Sequence, residues 1–166
     1  MLAEGDGLLL SFWQVDVASP PFLAEVIGAL RAVLLAHENG LLLVTGMNDD
    51  VKESLELVIN RQKMSIAALE GEQVELLGGS TQLVETLREA QRMGTFTAPD
   101  LADRLKVKLP ALHQRLNALR EAGALSREDD PTATRGKRGK YTAPSPEDLG
   151  DIAACPPPGE ITAVSV

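Results

Sequence analysis

The chain has 166 residues, of which 44% are hydrophobic and only 3% aromatic, so its core has to be built from aliphatic side chains. One cysteine, Cys155, and two distant histidines, His37 and His113, provide neither a disulfide framework nor a metal-ligand set. The apolar runs are far shorter than the roughly 20 residues that span a bilayer, and the first residues lack the basic start of a signal peptide. We expect a cytoplasmic protein with no metal or other cofactor and no membrane contact.

Charge is distributed unevenly along the sequence, although the formal total is −8. Residues 1–79 contain 4 Lys and Arg against 12 Asp and Glu, residues 80–145 contain 12 against 8, and residues 146–166 contain 4 acidic residues and no basic ones. Binding to a polyanion depends on the local charge more than on the total. The middle segment is therefore the candidate for contact with nucleic acid.

The first half of the chain alternates short apolar runs with helical patterns. Ser19, followed by two prolines, and Asn48 are suitable N-caps for two helices. Strands are expected at Leu8–Phe12, Leu41–Thr45, Ile66–Leu69 and Val74–Leu77, the last two forming a hairpin. This order, with short connections, predicts a small α/β layer of roughly 75 residues.

The second half has three helical patterns followed by two short strands. The first helix ends near Gly94, the second surrounds Leu101–Leu105, and the third begins at Pro110 and ends at Gly123. Ala124–Arg127 and Lys140–Thr142 are expected to pair around a long polar loop. Residues 146–166, rich in proline and acidic residues, are expected to form a flexible tail.

The second and third of these helices have the spacing of a helix-turn-helix, which places its second helix in the DNA major groove. Aliphatic residues at matching intervals would pack the two helices and the turn: Leu101, Ala102, Leu105, Val107, Leu112, Leu116 and Leu119. The other side of the last helix carries four residues that can reach phosphates or base edges, namely His113, Gln114, Asn117 and Arg120. His113 could read a base or a phosphate, but a lone surface histidine is more often incidental.

The runs Pro99 to Val107 and Leu112 to Leu125 resemble the helix–turn signature and the recognition helix of the winged-helix families of bacterial transcriptional regulators. In such families a loop between two strands, the wing, touches the DNA backbone or the minor groove. Four cations occupy that loop here: Arg135, Lys137, Arg138 and Lys140. The resemblance implies a winged helix-turn-helix over residues 80–145, with duplex DNA as its partner and a homodimer as its assembly.

The start of the recognition helix departs from the family pattern. Lys108 stands where related proteins often have a Ser or Thr cap, Leu109 follows it, and Ala111 replaces a polar base-reading residue. The alternative is therefore a partner-switching protein in which the winged helix binds protein and not DNA. Tyr141 is also ambiguous, since it can contact DNA from the base of the wing or pack within its strand.

Residues from about Leu8 to Gly78 resemble a STAS-like domain, a family named for sulfate transporters and anti-sigma-factor antagonists. The matching segments are Val15–Leu23, Leu41–Val44, Asn48–Leu55 and Val74–Gly78. The resemblance implies assembly or sensing through a regulatory protein partner. Ser19 is a possible phosphorylation site, although the prolines after it replace the small residues expected there and an N-cap role accounts for it as well.

No set of catalytic residues emerges from the sequence. Gly78-Gly79-Ser80 lacks the lysine and the spacing of a phosphate-binding loop. The acidic pairs Asp49-Asp50 and Asp129-Asp130 open a helix and a loop without a basic or metal-binding partner. We therefore expect a non-enzymatic regulator of α/β plus α+β class: a STAS-like domain over residues 1–79, a winged helix-turn-helix over residues 80–145 and a tail over residues 146–166.

Overall fold

A computed structural model describes residues 6–36, 40–71, 73–129, 139–144 and 161–165. These residues form a mixed α/β fold with five helices and two sheets. The helices are α1 (Pro20–Ala36), α2 (Asp49–Gln62), α3 (Thr81–Met93), α4 (Ala98–Leu105) and α5 (Leu109–Glu121). The strands are β1 (Asp6–Ser11), β2 (Leu41–Thr45), β3 (Ile66–Glu70), β4 (Gln73–Leu77), β5 (Thr95–Thr97), β6 (Ser126–Asp129), β7 (Gly139–Thr142) and β8 (Ile161–Ser165).

The larger sheet has the strand order β4-β3-β2-β1-β8, with β1, β2 and β3 parallel and the two outer strands antiparallel to their neighbours. The crossovers through α1 and α2 advance in the same direction across the sheet. Because such crossovers are right-handed, both helices cover the same face. Leu10 and Val44 of the sheet pack there against Leu23, Ile27 and Leu55 of the helices. We call this side the α1–α2 face.

The opposite side of the same strands is also apolar, because side chains alternate along a strand. Leu9, next to Leu10, belongs to a different cluster with Leu43 and Ala67. That cluster includes Leu87 of α3 and Leu116 of α5, among other residues of the second half of the chain. We call this side the α3–α5 face. The helices of residues 80–121 therefore complete the core of the sheet.

Backbone contacts join the turn after α5 to the sheet. The carbonyl of Gly123 accepts a hydrogen bond from Leu42 N–H at 3.1 Å, and the carbonyl of Ala122 accepts one from Ala67 N–H at 3.0 Å. Gly123 has φ +78°, and a Cβ at this position would lie 2.6 Å from the Leu42 carbonyl oxygen. Glycine is thus required both by the backbone conformation and by the close approach.

The smaller sheet has the order β5-β7-β6 and is antiparallel throughout. Phe96 of β5 and Tyr141 of β7 stack with ring centroids 5.7 Å apart, and Tyr141 is only 3% exposed. Tyr141 therefore packs within its strand, which resolves the ambiguity of the sequence in favour of a core role. Strand β5 was not expected, because three residues are too few to display an alternating pattern.

Most predicted elements are found in the structure, including the β3–β4 hairpin, the α2 cap at Asn48 and the pairing of β6 with β7. The prediction of a flexible tail over residues 146–166 is wrong for Ile161–Ser165, which pair with β1 as β8. Without β8 the outer edge of β1 would present unpaired backbone groups, and the β-branched residues of this segment favour a strand there. Residues 145–160 lie outside the described part of the chain.

The division near residue 79 stays a prediction, since the two segments share one buried cluster across it. None of the helices in the described ranges is long and apolar enough to cross a membrane.

Candidate nucleic-acid interface

Helices α4 and α5 are joined by a turn of three residues. Lys106, in the left-handed conformation with φ +54°, ends α4. The N–H of Val107 donates to the carbonyl of Ala102 at 3.1 Å, and the Val107 side chain packs against the core, as its predicted role in the turn requires. Lys108 is the N-cap of α5, and Pro110 lies in the first turn of the helix. The turn thus has a fixed geometry, which sets the direction of α5.

The inner side of α5 is anchored to the rest of the molecule. Leu112, Leu116 and Leu119 are fully buried, as predicted. On the flank, the Arg115 guanidinium donates to Gln82 Oε1 at 3.2 Å and to Thr86 Oγ1 at 3.4 Å. These contacts tie α5 to α3. Sequence reasoning gave Arg115 no role, because the hydroxyl and amide that bind it lie about 30 residues earlier in the chain.

The outer side of α5 brings together three of the four residues predicted to contact DNA. His113, Gln114 and Asn117 are exposed and lie within one helical turn of each other. Arg120 is half-buried and already has a partner within the protein. The accessible polar groups on this side of α5 are therefore one imidazole, two amides and, in the last turn, the carboxylate of Glu121.

The first turn of α5 presents apolar side chains. Leu109 is 39% exposed, and Pro110 and Ala111 are exposed as well. Lys108 makes no side-chain capping hydrogen bond. The predicted departure from a polar, capped helix start is thus present in the structure.

Exposed lysines lie in the turn before α5 and on strand β7 of the smaller sheet. Lys140, predicted as a wing cation, is exposed on β7 and pairs in register with Glu128 of β6. Lys106 and Lys108, which the sequence prediction omitted, are exposed in the turn before α5. The two lysines lie on either side of Val107, whose side chain faces the core, and this alternation could have identified them as exposed. The other three predicted wing cations, Arg135, Lys137 and Arg138, lie outside the described residues.

An ion-pair network connects α3 with α4. The carboxylate of Glu89 binds Arg92 of its own helix at 3.0 Å and Arg104 of α4. Desolvation alone would raise the pKa of Glu89, but the hydrogen bonds and charges of the two arginines outweigh it and lower the pKa below its ordinary value. Glu89 thus stays ionised and helps to hold α4 against α3.

The first half of the chain presents a different kind of surface. Ser19 is exposed, and its carbonyl accepts the first helical hydrogen bond, from Leu23 N–H at 3.0 Å, which is the position of an N-cap. The sequence on either side of Ser19 carries large exposed apolar side chains: Trp13 at 48%, Val17 at 73% and Phe22 at 56% exposure. We call these three residues the apolar patch.

The Asn48 side chain holds the loop that carries Trp13 and Val17. Its amide donates to the carbonyls of Val15 at 3.1 Å and Asp16 at 2.9 Å, while its oxygen caps α2. The loop therefore has specific polar contacts to the cap of α2, although Trp13 and Val17 are exposed.

In the described ranges, His, Cys, Asp and Glu side chains form no group of three or more that could hold a metal ion. No protein-family model matches the chain, and comparisons with curated proteins and with solved structures found no match.

Proposed function

We propose that the protein is a cytoplasmic, non-enzymatic transcriptional regulator that binds duplex DNA through α5. In this proposal α3–α5 and the β5-β7-β6 sheet constitute a winged helix-turn-helix, with α5 as the recognition helix. The observation that carries the proposal is the two-sided character of α5. Its inner leucines are fully buried, while His113, Gln114 and Asn117 stand together on the accessible side, as insertion into a major groove requires.

Electrostatics support the same proposal. Lys106 and Lys108 before α5 and Lys140 on β7 are exposed cations on the unit that carries α5. Arg135, Lys137 and Arg138 add three charges to the connection between β6 and β7. Contacts of lysine and arginine with phosphates release counterions and make binding strongly dependent on salt. The lysines and the wing cations would thus supply affinity, and the α5 side chains would supply orientation and readout.

The direct test is fluorescence anisotropy with a duplex of about 21 base pairs, two helical turns, for wild type and variants. Measurements between about 50 and 200 mM salt should give a steep loss of affinity with salt. Lys140→Gln should reduce the logarithmic salt slope by about 1, and Arg135→Ala/Lys137→Ala/Arg138→Ala by more. Arg61→Gln is the matched control, because Arg61 is an exposed cation in the last turn of α2. Absence of binding at the lowest salt contradicts the proposal.

We also propose that the first half, as a STAS-like module, mediates homodimerisation through α1. Phe22, Val26, Ala29 and Val33 follow one another at intervals of four, three and four residues, the spacing of a helix–helix seam. Phe22 and Val33 are 56% and 46% exposed. A second copy supplies the same apolar seam, and α1 lies on the side of the sheet opposite α5, so pairing leaves α5 accessible. Sedimentation should detect a dimer that Phe22→Ser/Val33→Ser converts to a monomer.

A second candidate function is a partner-switching protein in which both halves bind proteins. The apolar first turn of α5 and the apolar patch favour it, because exposed apolar surface marks protein interfaces. This candidate predicts no salt-dependent DNA binding. It also predicts that Ser19→Glu changes assembly, if a phosphoryl group at this helix start regulates the contact.

A further inference from the structure

The first turn of α5 combines exposure with an absence of polar side-chain groups. Leu109, Pro110 and Ala111 all reach solvent, yet none of their side chains donates or accepts a hydrogen bond. Leu109 also lies outside the buried clusters of the described residues, so the core does not require it. In helix-turn-helix proteins this turn is the one that approaches the base edges.

The major groove offers one apolar group, the C5 methyl of thymine. On the same exposed side of α5, Gln114 and Asn117 carry amides, which pair in bidentate fashion with N6 and N7 of adenine. Thymine and adenine are partners in one base pair. The apolar turn, by contact with thymine, and the amides, by hydrogen bonds to adenine, therefore both favour an A·T pair.

Guanine is most often read by an arginine or a lysine, and both arginines of α5 are engaged within the protein. Arg115 is held by Gln82 and Thr86 of α3, and Arg120 is half-buried with a partner inside the protein. The amides of α5 thus favour A·T pairs, while both arginines of the helix already have partners within the protein.

We propose that α5 recognises an A·T-rich segment of major groove, with Leu109 and Ala111 packing against thymine methyl groups and Gln114 and Asn117 hydrogen-bonding to adenine. The inference rests on the DNA binding proposed above and adds its sequence class. In this proposal the apolar first turn of α5 determines the preference for A·T base pairs.

The test removes the methyl groups without changing the base pairs. Two probes are used: an A·T-rich duplex of mixed sequence, and the same duplex with uracil in place of every thymine. Wild type should bind the uracil duplex about three- to fourfold more weakly for each methyl group in contact. A G·C-rich duplex containing 5-methylcytosine, which carries a methyl at the same ring position, should bind more tightly than its unmethylated form.

Variants at Leu109 separate direct contact from an effect of methylation on DNA shape. Leu109→Ser should reduce the ratio of the two dissociation constants by the factor that Leu109 contributes and leave only the part due to Ala111, while Leu109→Met should keep the ratio. Lys140→Gln should weaken binding of both duplexes by the same factor, since phosphates are unchanged between them. Thermal unfolding is measured for each variant as the check that it is folded.

Equal binding of the thymine and uracil duplexes by wild type would overturn the inference and leave DNA binding intact. An undiminished ratio in Leu109→Ser would overturn it too. Failure to bind either duplex at low salt would instead contradict the proposed function itself.

Discussion

The two faces of the larger sheet are covered in different ways. The α1–α2 face is covered by helices that lie between the strands in sequence, as the handedness of parallel crossovers requires. The α3–α5 face is covered by helices that follow the last parallel strand and that carry the candidate interface. Leu9 and Leu10 are neighbours in β1, yet they enter these two different cores. The candidate DNA-binding unit is thus also half of a core, and its orientation is coupled to the stability of the sheet.

Replacing the leucines of β1 gives the largest expected effect. Leu9→Ala and Leu10→Ala each remove a buried side chain and should lower the free energy of unfolding by about 2–5 kcal/mol. Because the α3–α5 face is shared, Leu9→Ala should shift the fluorescence transition of Trp13, the single tryptophan, and the circular-dichroism transition of the helices together. Separate transitions in urea would show that the two halves unfold independently.

Gly123 tests the connection between the halves directly. Gly123→Ala places a Cβ 2.6 Å from the Leu42 carbonyl at a positive φ, and should cost about 2–4 kcal/mol through strain and displacement of β2. Gly71→Ala is the matched control, since its φ is +63° and nothing lies within 4 Å of the added Cβ. The control should cost about 1–2 kcal/mol. Equal losses in urea unfolding would mean that the close approach contributes nothing.

The ion pairs of Glu89 with Arg92 and Arg104 should make the free energy of unfolding depend on pH in the acidic range. The folded state lowers the pKa of Glu89, so its stabilisation is present above the pKa of the unfolded chain, about 4.3, and is lost as pH falls through the lower folded value. Glu89→Gln should therefore lower stability at neutral pH and flatten the fall of stability below about pH 5. Parallel curves for wild type and variant would contradict this role.

The corresponding pair on the other side of the sheet should have the smallest effect. Lys52 of α2 binds Glu70 of β3, with side chains 35% and 39% exposed. The hydrogen bond to Glu70 raises the Lys52 pKa, although desolvation lowers it, so the stabilisation exists below the unfolded pKa, about 10.4, and is lost as pH rises through the folded value. Lys52→Met should change the unfolding free energy at neutral pH by at most about 0.5 kcal/mol, since solvent screens the pair. If Lys52→Met lowered the unfolding free energy as much as Leu9→Ala does, the expectation that this ion pair has the smallest effect would be wrong.

The sequence by itself determined most of the elements, β5 and β8 excepted, and the identity of the inward residues of α5. The period of Leu112, Leu116 and Leu119 defined the buried side of α5, and the polar residues between them defined its exposed side. Capping chemistry at Asn48 and the apolar start of α5 at Leu109 were equally readable. These features are local, because each depends on residues a few positions apart.

Only the tertiary structure decided what covers the second side of the sheet and what occupies its outer edge. Strands Leu8–Phe12 and Leu41–Thr45 were expected to be buried, but a run of apolar residues does not say which later segment packs on it. The docking of Gly123 on Leu42, the contact of Arg115 with Thr86 and the pairing of β8 with β1 join residues far apart in the chain. Such contacts depend on shape and on available backbone groups, which the periodicity of the sequence does not encode.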